Sequence, residues 1–308
     1  NPRLMWSVLV PAFNCAAYLR ETLDSVLCQD PGPDEMEIIV IDDHSTKDDP
    51  EQVVRECGGD RVRFIRQPEN VGKVRNYETG LWQSRGRLIH QLHGDDRVRP
   101  GFYQTMRRLM DDNPDVGAGF CRSIYIDAEG KWLRITGPEQ YDDGIVPHFI
   151  DHIAVGQRLQ TPSMVVRRQV YEELGGFDRR LNCMEDWEMW TRIAAFYPVA
   201  FCNQVLAAYR VHDGNATALT LQNGSALVTQ LKVLRIVDSY LDQSVLNRIK
   251  KLRARKQAEF LLLSAAALKR NNGACKGTAN RCVLQALKFS QHPRVLLHAA
   301  RLAPRLLR

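Results

Sequence analysis

The sequence predicts an α/β fold: a mostly parallel central sheet flanked by helices, followed by a helical C-terminal region. Three observations carry this. Apolar β-branched runs alternate with helical-period segments over the first 110 residues, which is the pattern of a parallel sheet covered by helices. Polar clusters follow three of those runs, where such sheets bind ligands. Beyond Gly224 the pattern becomes helical and basic.

The first run, Trp6 to Val10, is apolar and closed by Pro11, so it reads as a buried strand. Ala17, Leu19, Leu23, Val26 and Leu27 then recur at near-helical spacing, which predicts a helix over Ala16 to Leu27. Glu37 to Ile41 is a second strand running into Asp42-Asp43, and a helix near Pro50 to Cys57 leads to a third strand, Val62 to Ile65. Tyr77 to Ser84 reads as helix, Arg87 to Leu92 as a fourth strand ending in His93-Gly94-Asp95-Asp96, and Pro100 to Met110 as helix. Short strands at Arg122 to Ile126 and Ser163 to Val166 surround a Gly/Pro/Asp loop at Gly137 to Gly144. Gly175 to Asp178 is a turn, Asp186 to Phe196 a helix and Val205 to Val211 a strand. Leu227 to Leu241, Val245 to Leu268 and Ala279 to Phe289 complete the helices, with Gly273 and Gly277 as breaks. The boundaries drawn are a catalytic domain over residues 1–225 and a basic helical region over 226–308.

Composition is that of an ordinary globular protein: 308 residues, 44% hydrophobic and 25% charged, which excludes a disordered, collagenous or coiled-coil chain. The net charge of +6 is an average of two unlike parts. Residues 226–308 hold 17 Lys and Arg against 3 Asp and Glu, a net of +14, so residues 1–225 carry −8. Eight cysteines are scattered without a Cys-x-x-Cys pair, which argues against a zinc knuckle or thioredoxin motif and favours a reducing compartment. The N-terminal segment does not read as a signal peptide. The longest apolar run, Phe260 to Leu268, is far below the roughly 18 residues that read as a bilayer span.

The chemistry-bearing clusters each have a plain structural alternative. Asp95 and Asp96 are adjacent carboxylates after an apolar strand, and they repel unless a cation or basic group compensates. A divalent ion bridging phosphate oxygens is one solution; an exposed turn capping the next helix is the other. Asp42 suits hydrogen bonds to a nucleobase or ribose, whereas Asp43 and Ser45 suit capping of the following helix. In Asn70 to Asn76, backbone amides and Arg75 are candidates for a diphosphate; a basic helix start is the alternative. Asp186, in Glu185-Asp186-Trp187-Glu188-Met189-Trp190, is a carboxylate beside indoles, a setting for a general base, although such tryptophans more often belong to the core. His212, after Tyr209-Arg210-Val211, is a candidate ligand for metal or phosphate, or a structural histidine. No Gly-x-Gly-x-x-Gly follows a strand and no P-loop is present, which disfavours a dinucleotide dehydrogenase and a P-loop kinase. Asn215-Ala216-Thr217 and Asn223-Gly224-Ser225 match short glycosylation sequons.

In this order and spacing, Val10-Pro11-Ala12-Phe13-Asn14, Ile41-Asp42-Asp43-His44-Ser45, Asn70-Val71-Gly72, Gly94-Asp95-Asp96, Gly175-Gly176-Phe177-Asp178, Glu185-Asp186-Trp187 and Tyr209-Arg210-Val211-His212 resemble an inverting family 2 glycosyltransferase with the GT-A (Rossmann-like) fold. The resemblance covers roughly residues 6 to 215. It implies a nucleotide-diphosphate sugar donor, most simply a UDP-sugar, and transfer to a hydroxyl of a glycan or lipid-linked acceptor. By it, Pro11, Phe13, Asn14, Asp42, Arg75 and Asp95 would bind the nucleotide sugar. Asp96 and His212 would meet a Mn2+ or Mg2+ ion, and Asp186 would deprotonate the acceptor. Two positions depart from the pattern. His93 stands where the family often has an acidic residue, which puts metal ligation in question, and His44 stands where glycine is common.

The basic tail alternates Val295, Leu296, Leu302, Leu306 and Leu307 with Arg294, Arg301, Arg305 and Arg308. It suits either a packed helical bundle or peripheral contact with an anionic membrane, on the cytoplasmic side. No nucleic-acid motif accompanies it, and nucleic acid is not expected as a partner. Rival readings are a metal-dependent phosphohydrolase built on Asp95 and Asp96, and a binding module working through the tail.

Overall fold

The structure is a computed structural model and describes residues 3–212, 214, 226–270 and 276–302. The chain divides into two compact units. One comprises Asn1–Phe149, Leu159–Asn182 and Phe196–Val211; the other comprises Ile150–Arg158, Cys183–Ala195 and His212–Arg308.

The first unit is built on one sheet. Strands β1 (Trp6–Ala12), β2 (Met36–Asp42), β3 (Val62–Arg66) and β4 (Leu88–Gln91) alternate with helices α1 (Ala16–Leu27), α2 (Pro50–Cys57) and α3 (Lys73–Gln83). These four strands pair in parallel in the order β3-β2-β1-β4. The short β5 (Arg97–Val98) and α4 (Phe102–Asp112) follow, then β6 (Ala118–Ile126), β7 (Trp132–Ile135), β8 (Gly144–Ile145) and α5 (Phe149–Ile153). Next come β9 (Met164–Arg167), α6 (Arg168–Leu174), α7 (Glu185–Phe196) and β10 (Val199–Arg210). The sheet continues from β4 through antiparallel β9 to β6, which pairs in parallel with β10, and β5 closes that edge. A mixed sheet thus follows the parallel block.

The period-2 alternation of a strand places neighbouring side chains on opposite faces, and both faces of the parallel block are buried. Val8 and Val10 of β1 and Ile38 and Val40 of β2 pack with Leu19, Leu23 and Val26 of α1. Leu9, Ile39, Ile41 and Ile89 form the core of the other face, against Leu81 and Tyr171. This two-sided burial explains why β1 and β2 read as mostly apolar runs.

Helix starts explain the agreements and one correction. α2 begins with Pro50 at its first turn and Asp49 accepting from Gln52 N at 3.0 Å. The cap is therefore Asp49, not Asp43 or Ser45. α3 begins at Lys73, four residues before the predicted Tyr77, because Gly72 adopts a positive φ of 85° and turns the chain into the helix. Strand β10 likewise starts earlier than predicted, at Val199, where it pairs with Ala118 before bulging between Cys202 and Val205.

In the second unit, α8 (Ala226–Asp238), α9 (Gln243–Arg270), α10 (Lys276–Phe289) and α11 (Pro293–Leu302) follow one another. Gly277 lies in the first turn of α10 rather than breaking it; Gly273 and both sequons lie outside the described residues, as do Arg305, Leu306, Leu307 and Arg308. Ala258, Leu261, Leu262, Ala265 and Leu268 recur at helical spacing on α9 and pack with Ala279, Cys282, Val283 and Ala286 of α10 and Val295 and Ala299 of α11. Of the apolar positions of the basic tail, Val295 is therefore a core position and Leu302 packs against the core, whereas Leu296 is exposed. Among the described residues no helix is long and apolar enough to cross a membrane. The described cysteines are all free thiols.

Candidate active site

The parallel strands bring their carboxyl ends together. Gly94 N donates to Pro11 O at 3.1 Å, Asp43 N to Ala12 O at 2.9 Å, and Leu92 N to Leu9 O at 2.9 Å, so the segments after β1, β2 and β4 are tied side by side. Gly94 is required by this close approach. A Cβ there would meet Cys15 Sγ at 2.7 Å and Pro11 O at 3.4 Å.

The turn after Gly94 presents the acidic pair. Asp95 is half-buried, whereas Asp96 is only 1% exposed. One Asp96 oxygen, Oδ1, accepts from Arg210 N at 2.8 Å. The other, Oδ2, is buried without a hydrogen-bond partner and lies 3.7 Å from His93 Nδ1. Burial and the neighbouring Asp95 charge push the Asp96 carboxyl well above the usual range, against the opposing pull of the Arg210 N–H and guanidinium. A carboxylate so placed calls for a cation. Donor atoms of His93, Asp95 and Asp96 lie within 4.8 Å of one another, a grouping able to hold a metal ion. His93 departs from the acidic residue common there, which puts metal ligation in question; the structure gathers it into the cluster.

Arg210, at the end of β10, is the residue that the sequence reading missed. It is fully buried. Its Nε donates to Asp95 O at 2.9 Å, Nη1 to Ala128 O at 2.8 Å, and Nη2 to Glu21 Oε2 at 2.8 Å, with the guanidinium 4.6 Å from the centre of the Tyr18 ring. It fastens the acidic turn to β10. The signal was available in Tyr209-Arg210-Val211-His212, but an arginine in a strand gives no hint of its partners.

The nucleotide-side candidates fall into two groups. Phe13 is 49% exposed at the end of β1, and Arg75 is exposed on the first turn of α3. Pro11 is half-buried in β1, paired with Ile41. The others are engaged in shaping the loops. Asn14 Oδ1 accepts from Thr46 N and Lys47 N, both at 3.0 Å, and its own N donates to Ser45 Oγ at 2.8 Å. Asp42 is fully buried, takes Ser45 N at 3.2 Å and the Ser45 hydroxyl, and sits 3.5 Å from Arg66 Nη1.

Asp43 forks the amides of Val71 at 2.8 Å and Gly72 at 3.0 Å. Those two amides, offered by the sequence to a diphosphate, are thus already engaged. Burial raises the Asp43 carboxyl, and these two amide bonds oppose the rise. His44 adopts φ of 59°, the left-handed conformation that explains glycine's frequency there, and its Nδ1 meets Gln67 O at 3.1 Å.

Asp186 and His212 belong to the second unit. Asp186 stands at the first turn of α7, half-buried, with Oδ2 accepting from Gln157 Nε2 at 2.8 Å and Oδ1 from Trp187 N at 2.8 Å. Trp187 and Trp190 are both buried, and the Trp187 indole donates to Ile153 O at 2.7 Å. They are core, and they fix the helix that carries Asp186. His212 is half-buried, two residues beyond β10.

A family model described as Glycosyl transferase family 2 matches residues 7–175, more than half of the chain. The chain belongs to glycosyl transferase family 2. Curated relatives include proteins named as glycosyltransferases. An uncharacterised glycosyltransferase of Rickettsia typhi is 29% identical over 225 residues, covering 70% of this chain and 66% of the relative. An uncharacterised protein of Mycobacterium tuberculosis is 28% identical over 252 residues, covering 78% of each.

Among solved structures, Staphylococcus aureus TarS 1-349 superposes with a TM-score of 0.68 at 16% identity, covering 95% of this chain and 82% of that one. The mannosyltransferase PcManGT from Pyrobaculum calidifontis, solved with GDP-Man and Mn2+, gives 0.63 at 20% identity, covering 99% and 81%. TarS is also known in complex with UDP-GlcNAc. These likenesses show the GT-A fold for this family 2 glycosyltransferase.

Proposed function

We propose that this glycosyltransferase moves a sugar from a nucleotide-diphosphate donor, a UDP-sugar in the simplest case, to a hydroxyl of a glycan or lipid-linked acceptor, with inversion at the anomeric carbon. The observation that carries the proposal is the buried, unpartnered Asp96 oxygen in a cluster with His93 and Asp95, at the joined ends of β1, β2 and β4. The solved relatives with UDP-GlcNAc and with GDP-Man and Mn2+ support it by analogy.

In this reading Pro11, Phe13, Asn14 and Asp42 form or shape the nucleobase side, Arg75 lies near the nucleotide and Asp95 meets the ribose. Asp96 and His212 would hold Mn2+ or Mg2+, which when bound offsets the charge that develops on the leaving diphosphate. Arg210 keeps the acidic turn in place by holding the Asp95 carbonyl and the Asp96 carboxylate together.

Asp186 accepts the acceptor's proton as the oxygen forms its bond to the anomeric carbon. The bond from that carbon to the diphosphate breaks with its electron pair leaving on oxygen. Single displacement of this kind inverts the centre. The Gln157 amide and the Trp187 N–H orient Asp186.

We assign catalysis to residues 1–225 and a packing or peripheral membrane-docking role, on the cytoplasmic side, to the basic helices of 226–308. The phosphohydrolase and nucleic-acid readings draw no support from the comparisons. A screen of nucleotide sugars by thermal shift and diphosphate release, with Mn2+, Mg2+ or EDTA, tests the proposal. A stabilising donor that requires the ion is expected. Full activity in EDTA, or sugar release without any acceptor-dependent transfer, would overturn it.

A further inference from the structure

His93 is the one neutral nitrogen donor in a cluster that otherwise offers carboxylate oxygens. Its ring is held in a defined orientation. It stacks on Tyr77 with centroids 5.6 Å apart and planes at 18°, and Tyr77 is itself wedged edge-on against Phe177 at 5.2 Å. The two ring nitrogens have different surroundings. Nε2 lies 3.2 Å from the Tyr77 hydroxyl and 3.4 Å from the Gln91 amide, whereas Nδ1 lies on the side of Asp96 Oδ2, 3.7 Å away. Gln91 Oε1 is buried and has no hydrogen-bond partner. Turning that amide about its last bond places the carbonyl oxygen against Nε2, where it accepts an N–H. With Nε2 carrying the hydrogen, Nδ1 keeps its lone pair on the carboxylate side. Metal-binding histidines are commonly prepared in this way, the second ring nitrogen donating to an oxygen.

The spacing suits an ion. Two metal–ligand bonds of about 2.1 Å span the 3.7 Å between Nδ1 and Oδ2 at an angle of about 120°. Resting on the metal-assisted reading above, we infer that His93 ligates the cation directly through Nδ1, and that this nitrogen makes the site select Mn2+ or Co2+ over Mg2+. Mg2+ is a hard ion that favours oxygen, while imidazole affinity rises along the first-row series. A carboxylate at the same position would remove the discrimination.

The test uses the full chain loaded with Mn2+ and UDP. Loss of the free-ion electron paramagnetic signal measures binding, and electron spin echo modulation detects nitrogen on the bound ion. The His93 variants carry His212→Asn, which removes the other proposed histidine ligand; modulation is expected in the wild type and in His212→Asn alone, and its loss is expected when His93→Asp is added while Mn2+ still binds. The ratio of Mg2+ to Mn2+ dissociation constants should fall about tenfold in His93→Asp. His93→Asn, which keeps a similar volume, should lose the modulation too. Bound Mn2+ without nitrogen modulation in the wild type would overturn the His93 assignment and leave the metal-assisted reading standing. Modulation that persists in both His93 variants would do the same. Failure of the wild type to bind Mn2+ in the presence of UDP would overturn both.

Discussion

Replacing Arg210 by methionine tests the idea that one buried guanidinium holds the acidic turn. Methionine matches much of the side chain's length but removes the charge and all its donors. Two short bonds to carbonyl oxygens disappear, to Asp95 O at 2.9 Å and Ala128 O at 2.8 Å. Each charge-assisted bond of this kind contributes about 1.5 kcal/mol. The Glu21 pair adds little, because Glu21 is 45% exposed and already shares its carboxylate with Arg97. These bonds and the lost positive charge beside the buried Asp96 together fall within the range of about 3–5 kcal/mol seen when one partner of a buried charge pair is removed. A total near 4 kcal/mol follows, a large share of the 5–15 kcal/mol typical of a folded domain. Chemical unfolding followed by fluorescence should show a markedly lower midpoint for Arg210→Met, with Arg210→Lys in between. If Arg210→Met unfolds within about 1 kcal/mol of the wild type, the guanidinium does not brace the turn and the reasoning fails.

Three other predictions concern the same sheet and the proposed chemistry. His90 is buried with Nδ1 against Tyr103 Oη at 3.1 Å and Nε2 against Pro162 O at 3.0 Å, and desolvation lowers its pKa from 6.5 to about 4. The unfolded chain binds this proton more tightly, so stability is full above about pH 6.5 and falls as pH drops toward 4, by up to about 3 kcal/mol. His90→Gln should flatten that acid limb in unfolding curves taken across the range; an unchanged limb counts against the assignment. Gly94→Ala should weaken UDP binding in calorimetry, and adding Cys15→Ala should recover most of it, since Sγ meets the new Cβ at 2.7 Å and the next described neighbours, Pro11 O and Leu19 Cδ1, lie at 3.4 and 3.5 Å. No recovery would mean that the turn itself, not the clash, is at fault. Asp186→Asn should abolish transfer while leaving donor affinity within about threefold, because asparagine retains an oxygen for Gln157; equal turnover in the two proteins would remove Asp186 from the role of base.

What could be read from the sequence was set by locality. α1 and α2 were legible because their apolar period and Pro50 lie within one segment, although the cap of α2 is Asp49 and not Asp43 or Ser45. The strands β1 and β2 were legible because burial on both faces leaves a mostly apolar run, and β4 because Leu88 and Ile89 precede the polar cluster at its end. The edge strands β7 and β8 were not, since exposed or two-residue strands carry no burial pattern. The start of α3 was hidden because Asn76, a polar residue, is buried there to donate to Ile41 O at 2.7 Å, a partner 35 positions away.

The site divides in the same way. The acidic turn and the strand ends were legible as clusters. The roles of Arg210, Tyr77 and Gln91 depend on contacts between distant segments and were not. His93 was visible as a residue, yet its membership of the cluster needed Tyr77, 16 positions away, to fix its ring.

Crystals of the full chain soaked with Mn2+ and the donor nucleotide, measured at the manganese absorption edge, would locate the ion. An anomalous peak among His93, Asp95 and Asp96, touching the diphosphate, is expected. A bound diphosphate with no peak there, or a peak elsewhere on the chain, would contradict the proposal that the joined strand ends receive the donor through a divalent cation.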